Sequence, residues 1–476
     1  MSEVRVRFAP SPTGMLHLGG LRTALYNFAF ARSQGGKFIL RLEDTDKKRT
    51  VEGAAEDLFN TLQLHGIKFD EGPGKGGKFK PYVQSQRLEI YNDYAMELIE
   101  KGAAYYCFCS AKRLDEIRAV QRENKEPIKY DGLCRAMDIE EAEKRVAAGE
   151  SYVIRLKMPQ EGSFVFYDKV RDKVEIPAQQ LDDQVIVKAD GFPTYHLAAT
   201  VDDHLMEITH VLRGEEWLSS TPKHIFIYES LGWKPPKWVH LPLILNEDKS
   251  KLSKRHGDFS VAAFRKKGYL REALINFVAL LGWHPKSDIE LFSLEELCTG
   301  FSLKQIGKAG AVFDMTKLDW MNGQYLRNLD NTYIAAEAKL FFLEAGFDIS
   351  DNDHYQHAVN LTRNYVSRLE ELPEQAKVFW QIPELSEEGI EIMAQESSQS
   401  VCRYLVEEFT ELDEWTQENV SDCVKSCMQD LELKGKQLFF PIRLALYGDT
   451  KGPDIPRLTE VWGKEKTITN LKKWIK

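Results

Sequence analysis

The chain has 476 residues, 43% hydrophobic and 29% charged, enough for two to four domains each with its own core. No apolar run approaches the roughly 20 residues that cross a bilayer, and MSEVRVRFAPSP lacks the apolar stretch of a signal peptide, so no membrane role and a cytoplasmic location are expected. A formal net charge of −10 excludes a uniformly basic nucleic-acid binder, leaving local basic patches for any such contact.

Strand and helix signals alternate over the first 100 residues. Val4, Val6 and Phe8 alternate with Arg5 and Arg7, which predicts a strand. Leu21, Ala24, Leu25 and Phe28 keep helical spacing through Arg32, and Gly35-Gly36 ends the helix. Phe38–Leu42 reads as a buried strand. Residues 51–65 return to helix with Ala55, Leu58, Phe59 and Leu62 on one face, stopped by Gly66. Ser85 is the expected cap of a further helix carrying Leu88, Tyr91, Ala95 and Leu98 and closed by Gly102. Strand-helix-strand-helix order predicts a doubly wound, Rossmann-like α/β domain. Such sheets bind ligands beyond the carboxyl ends of their strands, which directs attention to the loop after Phe8.

From 106 to 189, cysteines, charge and short strand-like runs such as Tyr152–Leu156 break the rhythm, predicting an α+β insertion. Strand signals resume at Gln184–Lys188 and His210–Leu212. Beyond Trp320, Glu/Leu/Ala-rich segments such as Tyr333–Ala345 and Val401–Leu412 predict all-α C-terminal domains. The expected organisation is a first half of the α/β domain at 1–105, the insertion at 106–189 and the second half at 190–235. A further region at 236–326 and a helical region at 327–476 follow. No heptad repeat or dimer seam is visible, so a monomer is expected.

Two motifs carry phosphate chemistry. Pro10-Ser11-Pro12-Thr13-Gly14-Met15-Leu16-His17-Leu18-Gly19-Gly20 lies between the first strand and first helix. Its glycines let the backbone approach a ligand, helix-start N–H groups suit phosphate oxygens, and His17 is placed to donate to one. Lys251-Leu252-Ser253-Lys254-Arg255 puts three cations and a hydroxyl on one loop, suited to a triphosphate. Taken singly, the motifs are matched by an ordinary turn with a surface histidine and by a solvated basic loop. Gly72–Lys78 matches G-x-x-x-x-G-K, but Phe79 stands where a P-loop needs a hydroxyl and no helix follows at once, so it reads as a glycine-rich surface loop.

Together, in this order and separation, the two motifs resemble the signature pair of class I aminoacyl-tRNA synthetases. Within that class the sequence most resembles bacterial-type glutamyl-tRNA synthetases. The resemblance runs through RFAPSPTGMLHLGG (7–20), RLEDTD (41–46), YDGLCR (130–135), PTYHLAATVDDH (193–204), VLRGEEWLSSTPKH (211–224), KLSKR, KLDWMNGQYLR (317–327) and FFPIRLALYG (439–448). Gly20 departs from the class-wide form, where a second histidine often stands, and removes one phosphate donor.

The resemblance implies ATP-dependent ligation of L-glutamate to tRNA-Glu through a glutamyl-adenylate, releasing pyrophosphate and AMP, with Mg²⁺ on the ATP. It implies catalytic roles for His17, Lys251 and Lys254. ATP would be bound by Pro10, Ser11, Gly14, His17, Gly19 and Gly20 with Lys251, Ser253 and Lys254. Glutamate would be held by Arg7, Tyr195 and Arg213 at carboxylates, by Ser11 and Glu43 at the ammonium, and against Trp217 as a wall. A structural Arg7–Glu43 ion pair across adjacent strands is the competing reading of those two residues. The insertion is expected to bind the tRNA acceptor stem, the helical region at 236–326, which carries the KLSKR loop, is expected to contact the stem, and tRNA is expected to be required before the first step. The helical tail is expected to read the anticodon. Arg363 and Tyr365 are candidates there, with packing in the helical core the competing reading of Tyr365. Cys107, Cys109 and Cys134 with Tyr130 form a candidate zinc site, the alternative being a knuckle of buried thiols. Cys423 and Cys427, one helical turn apart, read as core packing.

Other functions are compatible with parts of the sequence. A non-discriminating enzyme would also charge tRNA-Gln with glutamate. A glutaminyl enzyme should carry β-barrel anticodon domains rather than a helical tail. A relative that glutamylates a modified tRNA base should lack the tail. A non-catalytic tRNA-binding paralogue should have lost His17 or the lysines of KLSKR.

Overall fold

The computed structural model describes residues 3–252, 258–381, 384–452 and 454–475. It divides into two compact units, Met1–Phe264 with Leu274–Asp314, and Arg265–Ala273 with Met315–Lys476. No described helix is long and apolar enough to cross a membrane.

The first unit opens with β1 (Arg5–Phe8), α1 (Leu18–Ser33), β2 (Lys37–Leu40), α2 (Ala54–Leu64) and α3 (Leu88–Glu100). β3 (Ala104–Cys107), α4 (Ala111–Glu123), α5 (Ile139–Ala147), β4 (Val153–Leu156), β5 (Ser163–Asp168), β6 (Asp172–Pro177) and β7 (Val185–Val187) follow. Then come α6 (Tyr195–Leu205), β8 (His210–Gly214), α7 (Thr221–Ser230), β9 (Lys237–Leu241), β10 (Ile244–Leu245), α8 (Val261–Lys266) and α9 (Arg271–Leu280), whose residues within Arg265–Ala273 belong to the second unit, and α10 (Leu294–Gly300) and β11 (Ala311–Val312).

β1 and β2 pair in parallel, as do β8 and β9. The N–H of Thr209 donates to the Arg5 carbonyl at 2.9 Å, tying β8 to the free edge of β1. The chain thus leaves β1 to one side for β2 and returns to the other side for β8. That reversal opens a crevice beyond the ends of β1 and β8, where doubly wound sheets bind ligands. The β5–β6 hairpin extends this sheet, β5 meeting β9 at Asp168 opposite Trp238. β3, β4 and β7 form a separate antiparallel sheet whose Tyr106, Ile154, Leu156 and Ile186 pack with Tyr91 and Leu98 of α3 and Leu197 and Val201 of α6.

Two expectations need adjustment and a third, the surface loop at Gly72–Lys78, is met. β1 is buried along its whole length, arginines included, because Arg5 reaches Glu71 at 2.8 Å and Arg7 reaches Asp203 at 2.9 Å. Ser85 does not cap a helix: its hydroxyl donates to Asp44 at 2.6 Å from within a 3-10 turn at Gln84–Gln86, and α3 starts at Leu88. The Gly72–Lys78 segment folds back on itself, Gly76 N–H donating to the Gly72 carbonyl at 2.9 Å, and serves no helix.

The second unit is helical, with α11 (Met315–Asn328), α12 (Asn331–Glu344), α13 (Asn352–Thr362), α14 (Leu372–Ala376), α15 (Glu387–Met393), α16 (Glu396–Glu411), α17 (Gln417–Asp430), α18 (Lys436–Tyr447) and α19 (Ile455–Lys472). Phe342, Phe379, Leu405, Phe409, Cys423, Cys427, Ile442 and Trp462 share its core. Tyr365 is 55% exposed, so core packing is not its role, and Arg363 donates to the Leu329 carbonyl at 2.6 Å.

Candidate active site

The crevice is a cavity of about 860 Å³, lined among others by Arg7, Ser11, His17, Glu43, Tyr195, Arg213, Trp217 and Lys251. Pro10, Gly14, Gly19 and Gly20 line it too. Ser253 and Lys254 lie outside the described residues.

At one end stands the loop from β1 to α1. His17 is the N-cap of α1, its Nδ1 accepting the Gly20 N–H at 3.2 Å. An accepting Nδ1 puts the imidazole proton on Nε2, the tautomer that can donate to a phosphate oxygen. Gly19 leaves room for this cap, since a Cβ there would lie 3.1 Å from the His17 ring and the ring would have to shift. The chain beyond the KLSKR motif is pinned to the same loop, Leu18 N–H donating to the Phe259 carbonyl at 3.0 Å and Val261 N–H to the Leu16 carbonyl at 2.8 Å. Lys251 pairs with Leu245 across a short turn, and Lys47, Lys48, Arg49 and Lys188 add positive charge to the lining.

At the other end lies a buried ionic cluster. Arg7 donates to Asp203, not Glu43. Glu43 instead accepts from Arg41 at 3.1 Å, and Arg41 also reaches Asp203 at 2.8 Å. The proposed Arg7–Glu43 ion pair is therefore replaced by one in which Arg41, wholly buried, bridges both acids. Asp202 completes the cluster, accepting from Arg87, Gln84 and Tyr91. Burial pushes the Glu43 carboxyl up to about 7, opposed by the charges of Arg41 and Arg7.

Arg213, on β8, is a buried cation of a different kind. Its Nε donates to His240 Nε2 (3.1 Å), Nη1 to Tyr195 Oη (2.9 Å) and His224 Nδ1 (3.2 Å), and Nη2 to the Trp217 carbonyl (3.2 Å) and Thr221 Oγ1 (2.8 Å). All five N–H donors thus meet uncharged acceptors, and Arg213 makes no ion pair among the described residues. A guanidinium held this way offers the cavity charge rather than an open fork. The Tyr195 hydroxyl, already an acceptor, keeps its own proton to donate, and its ring lies 4.3 Å from that of Trp217. Burial and the Arg213 charge keep His224 neutral by driving its pKa well below the ordinary value. Thr221, His224, His240 and Asp203 did not emerge from motif reading as site residues, although the VDDH run showed paired acids.

The cysteine cluster lies apart from the cavity. Sγ atoms of Cys107, Cys109 and Cys134 are within 4.8 Å of one another. The Tyr130 hydroxyl is 3.4 Å from both Cys107 Sγ and Cys109 Sγ.

Known proteins share this architecture. The model for "tRNA synthetases class I (E and Q), catalytic domain" matches residues 3–320, and that for "Anticodon binding domain" matches 333–475. A Glutamate–tRNA ligase of Clostridioides difficile is 45% identical, covering 98% of each chain, and one of Finegoldia magna is 44% identical, covering 99% of each. The crystal structure of a glutamate tRNA ligase from Elizabethkingia meningosepticum, in complex with its amino acid, has a TM-score of 0.91 at 38% identity, covering 99% of each chain. The chain belongs to the class I tRNA synthetases of the E and Q type, among which its full-length relatives are glutamate–tRNA ligases.

Proposed function

We propose that the protein ligates L-glutamate to tRNA-Glu at the expense of ATP. The observation that carries this reading is the buried Arg213, a cation with no directly bonded carboxylate among the described residues, facing the same cavity as Arg7 and a Tyr195 hydroxyl that keeps its proton to donate. A carboxylate facing the Arg213 charge complements it, and glutamate brings a second carboxylate that glutamine does not.

In the first step the α-carboxylate attacks the α-phosphorus and pyrophosphate leaves. Arg7 and Tyr195 donate to the carboxylates and Arg213 holds them by its charge, Glu43 and Ser11 take the ammonium, and Trp217 closes the side. His17 donates from Nε2 to phosphate oxygen, Gly14, Gly19 and Gly20 let the backbone approach, and Lys251, Ser253 and Lys254 balance the triphosphate charge. Mg²⁺ on ATP would add neutralising charge to the phosphates. In the second step a ribose hydroxyl of the terminal adenosine attacks the carbonyl carbon of the adenylate, forming the ester to tRNA and breaking the bond to AMP, which leaves. The insertion would hold the acceptor stem, the helical region at 327–476 would read the anticodon with Tyr365 exposed for stacking, and the enzyme would act as a cytoplasmic monomer.

The cysteine cluster fits zinc. An oxygen 3.4 Å from two sulfurs matches two vertices of a tetrahedron with bonds of about 2.0 and 2.3 Å. Cys107, Cys109, Cys134 and Tyr130 would hold the ion, which would brace the insertion rather than take part in ligation. The test of the proposed reaction is ATP–pyrophosphate exchange in the presence of tRNA-Glu. Exchange with glutamate and not glutamine is expected; exchange with glutamine alone, or none by folded protein, would overturn the reading.

A further inference from the structure

Behind Arg213, on the side away from the cavity, the structure holds a chain of groups that reaches into the β5–β6 hairpin. Asp168 closes β5, its side chain fully buried. Its Oδ2 meets His240 Nδ1 at 2.7 Å, and its Oδ1 accepts the N–H groups of Val170 and Arg171 at 2.8 and 2.9 Å. The His240 N–H adds a bond to Oδ2 at 3.1 Å. His240 Nε2 in turn accepts from Arg213 Nε at 3.1 Å.

The proton positions in this chain are forced. A guanidinium only donates, so His240 Nε2 must carry a lone pair, and the ring proton must sit on Nδ1, facing Asp168. The carboxylate is an acceptor towards every one of its partners, which fixes that tautomer and places a negative charge one imidazole away from Arg213. His224 is fixed by the same logic from the other side. Its Nδ1 accepts from Arg213, so its Nε2–H points to His196 Nδ1 at 3.2 Å.

We infer that Asp168 is a positioning residue for the glutamate pocket: through the His240 tautomer it holds in place the Arg213 guanidinium, whose charge faces the cavity, and with it the Tyr195 hydroxyl that donates to the substrate carboxylate. This rests on the proposed role of Arg213 and Tyr195. It also makes the β5–β6 hairpin, an edge of the sheet far along the chain from the signature motifs, a part of amino-acid recognition.

Asp168→Asn supplies an amide that must turn its NH₂ either to backbone donors or to His240. The second choice moves the ring proton to Nε2, against Arg213 Nε–H. The expected result is a KM for glutamate raised about 10- to 100-fold, the range of one lost bond to a buried charge, with the KM for ATP unchanged and kcat at saturating glutamate within about 3-fold. His240→Gln provides the discriminating background, because its amide oxygen can accept from Arg213 without help from Asp168. There, adding Asp168→Asn should change the KM for glutamate less than about 2-fold. Equal effects of Asp168→Asn in both backgrounds, or no effect in either, would overturn the inference. If Tyr195→Phe raises the KM while Asp168→Asn does not, the pocket stands and the inference falls; if neither does, the pocket reading falls. Should Asp168→Asn fail to fold, ¹⁵N-histidine NMR of the native protein decides. The His240 signal, assigned by its loss in His240→Gln, must show Nδ1–H, and an Nε2–H tautomer would refute the inference.

Discussion

Glu43 couples a titration to a proposed task, and its replacement by glutamine separates the two. The carboxyl lines the cavity yet is only 6% exposed. Burial first, against the pull of Arg41 and Arg7, lifts its pKa from the ordinary 4.5 to about 7. A rise of that size amounts to about 3 kcal/mol against the ionised form in the unliganded protein. The folded chain therefore binds a proton between pH 4.5 and 7 that the unfolded chain has released. The resulting destabilisation is absent below pH 4.5, grows through that window and is complete above pH 7. Binding an ammonium needs the carboxylate. The ratio kcat/KM for glutamate follows ionisation of the free enzyme, so it should fall about tenfold per pH unit below 7. Glu43→Gln should lower that ratio about 10- to 100-fold at pH 8 and flatten the limb, while in urea unfolding it gains on the native protein as pH rises. Initial charging rates at low glutamate and saturating ATP and tRNA, from pH 5.5 to 8.5, would show this. A limb of the same pKa in Glu43→Gln, or a flat native profile, would refute the reasoning.

Other outcomes follow from the same geometry. His17→Asn keeps an acceptor for the Gly20 N–H but removes the Nε2–H, so melting should hardly move while the rate of adenylate formation falls about 100-fold. Tyr195→Phe keeps the ring beside Trp217 and removes one donor, so KM for glutamate should rise about tenfold with KM for ATP unchanged. Metal analysis of purified protein should find one zinc per chain; Cys109→Ser should lose it and lower the thermal midpoint without abolishing pyrophosphate exchange.

The sequence disclosed the parts whose chemistry is local. Periodicity located β1, α1, β2 and the helical tail, and the glycine-rich loop announced a backbone built for close approach. Partnering was less legible. Arg7 lies on β1 and Glu43 three residues beyond the end of β2, and the nearest opposite charges suggested a pair. In the fold, Asp202 and Asp203 of α6 arrive from 115 to 196 residues away and take Arg7, Arg41 and Arg87 as partners. Ser85 fits a helix start by residue type, but Asp44 competes for its hydroxyl. His240 and Asp168 belong to no motif, because their contribution depends on β5 joining β9, a pairing that no local pattern encodes.

Charging of purified tRNA-Glu with labelled glutamate and, separately, labelled glutamine tests the central claim most directly. Stable glutamyl-tRNA, dependent on ATP and reduced by His17→Asn and Tyr195→Phe, is the predicted result. Transfer of glutamine, or no transfer of either amino acid by folded protein, would contradict the account.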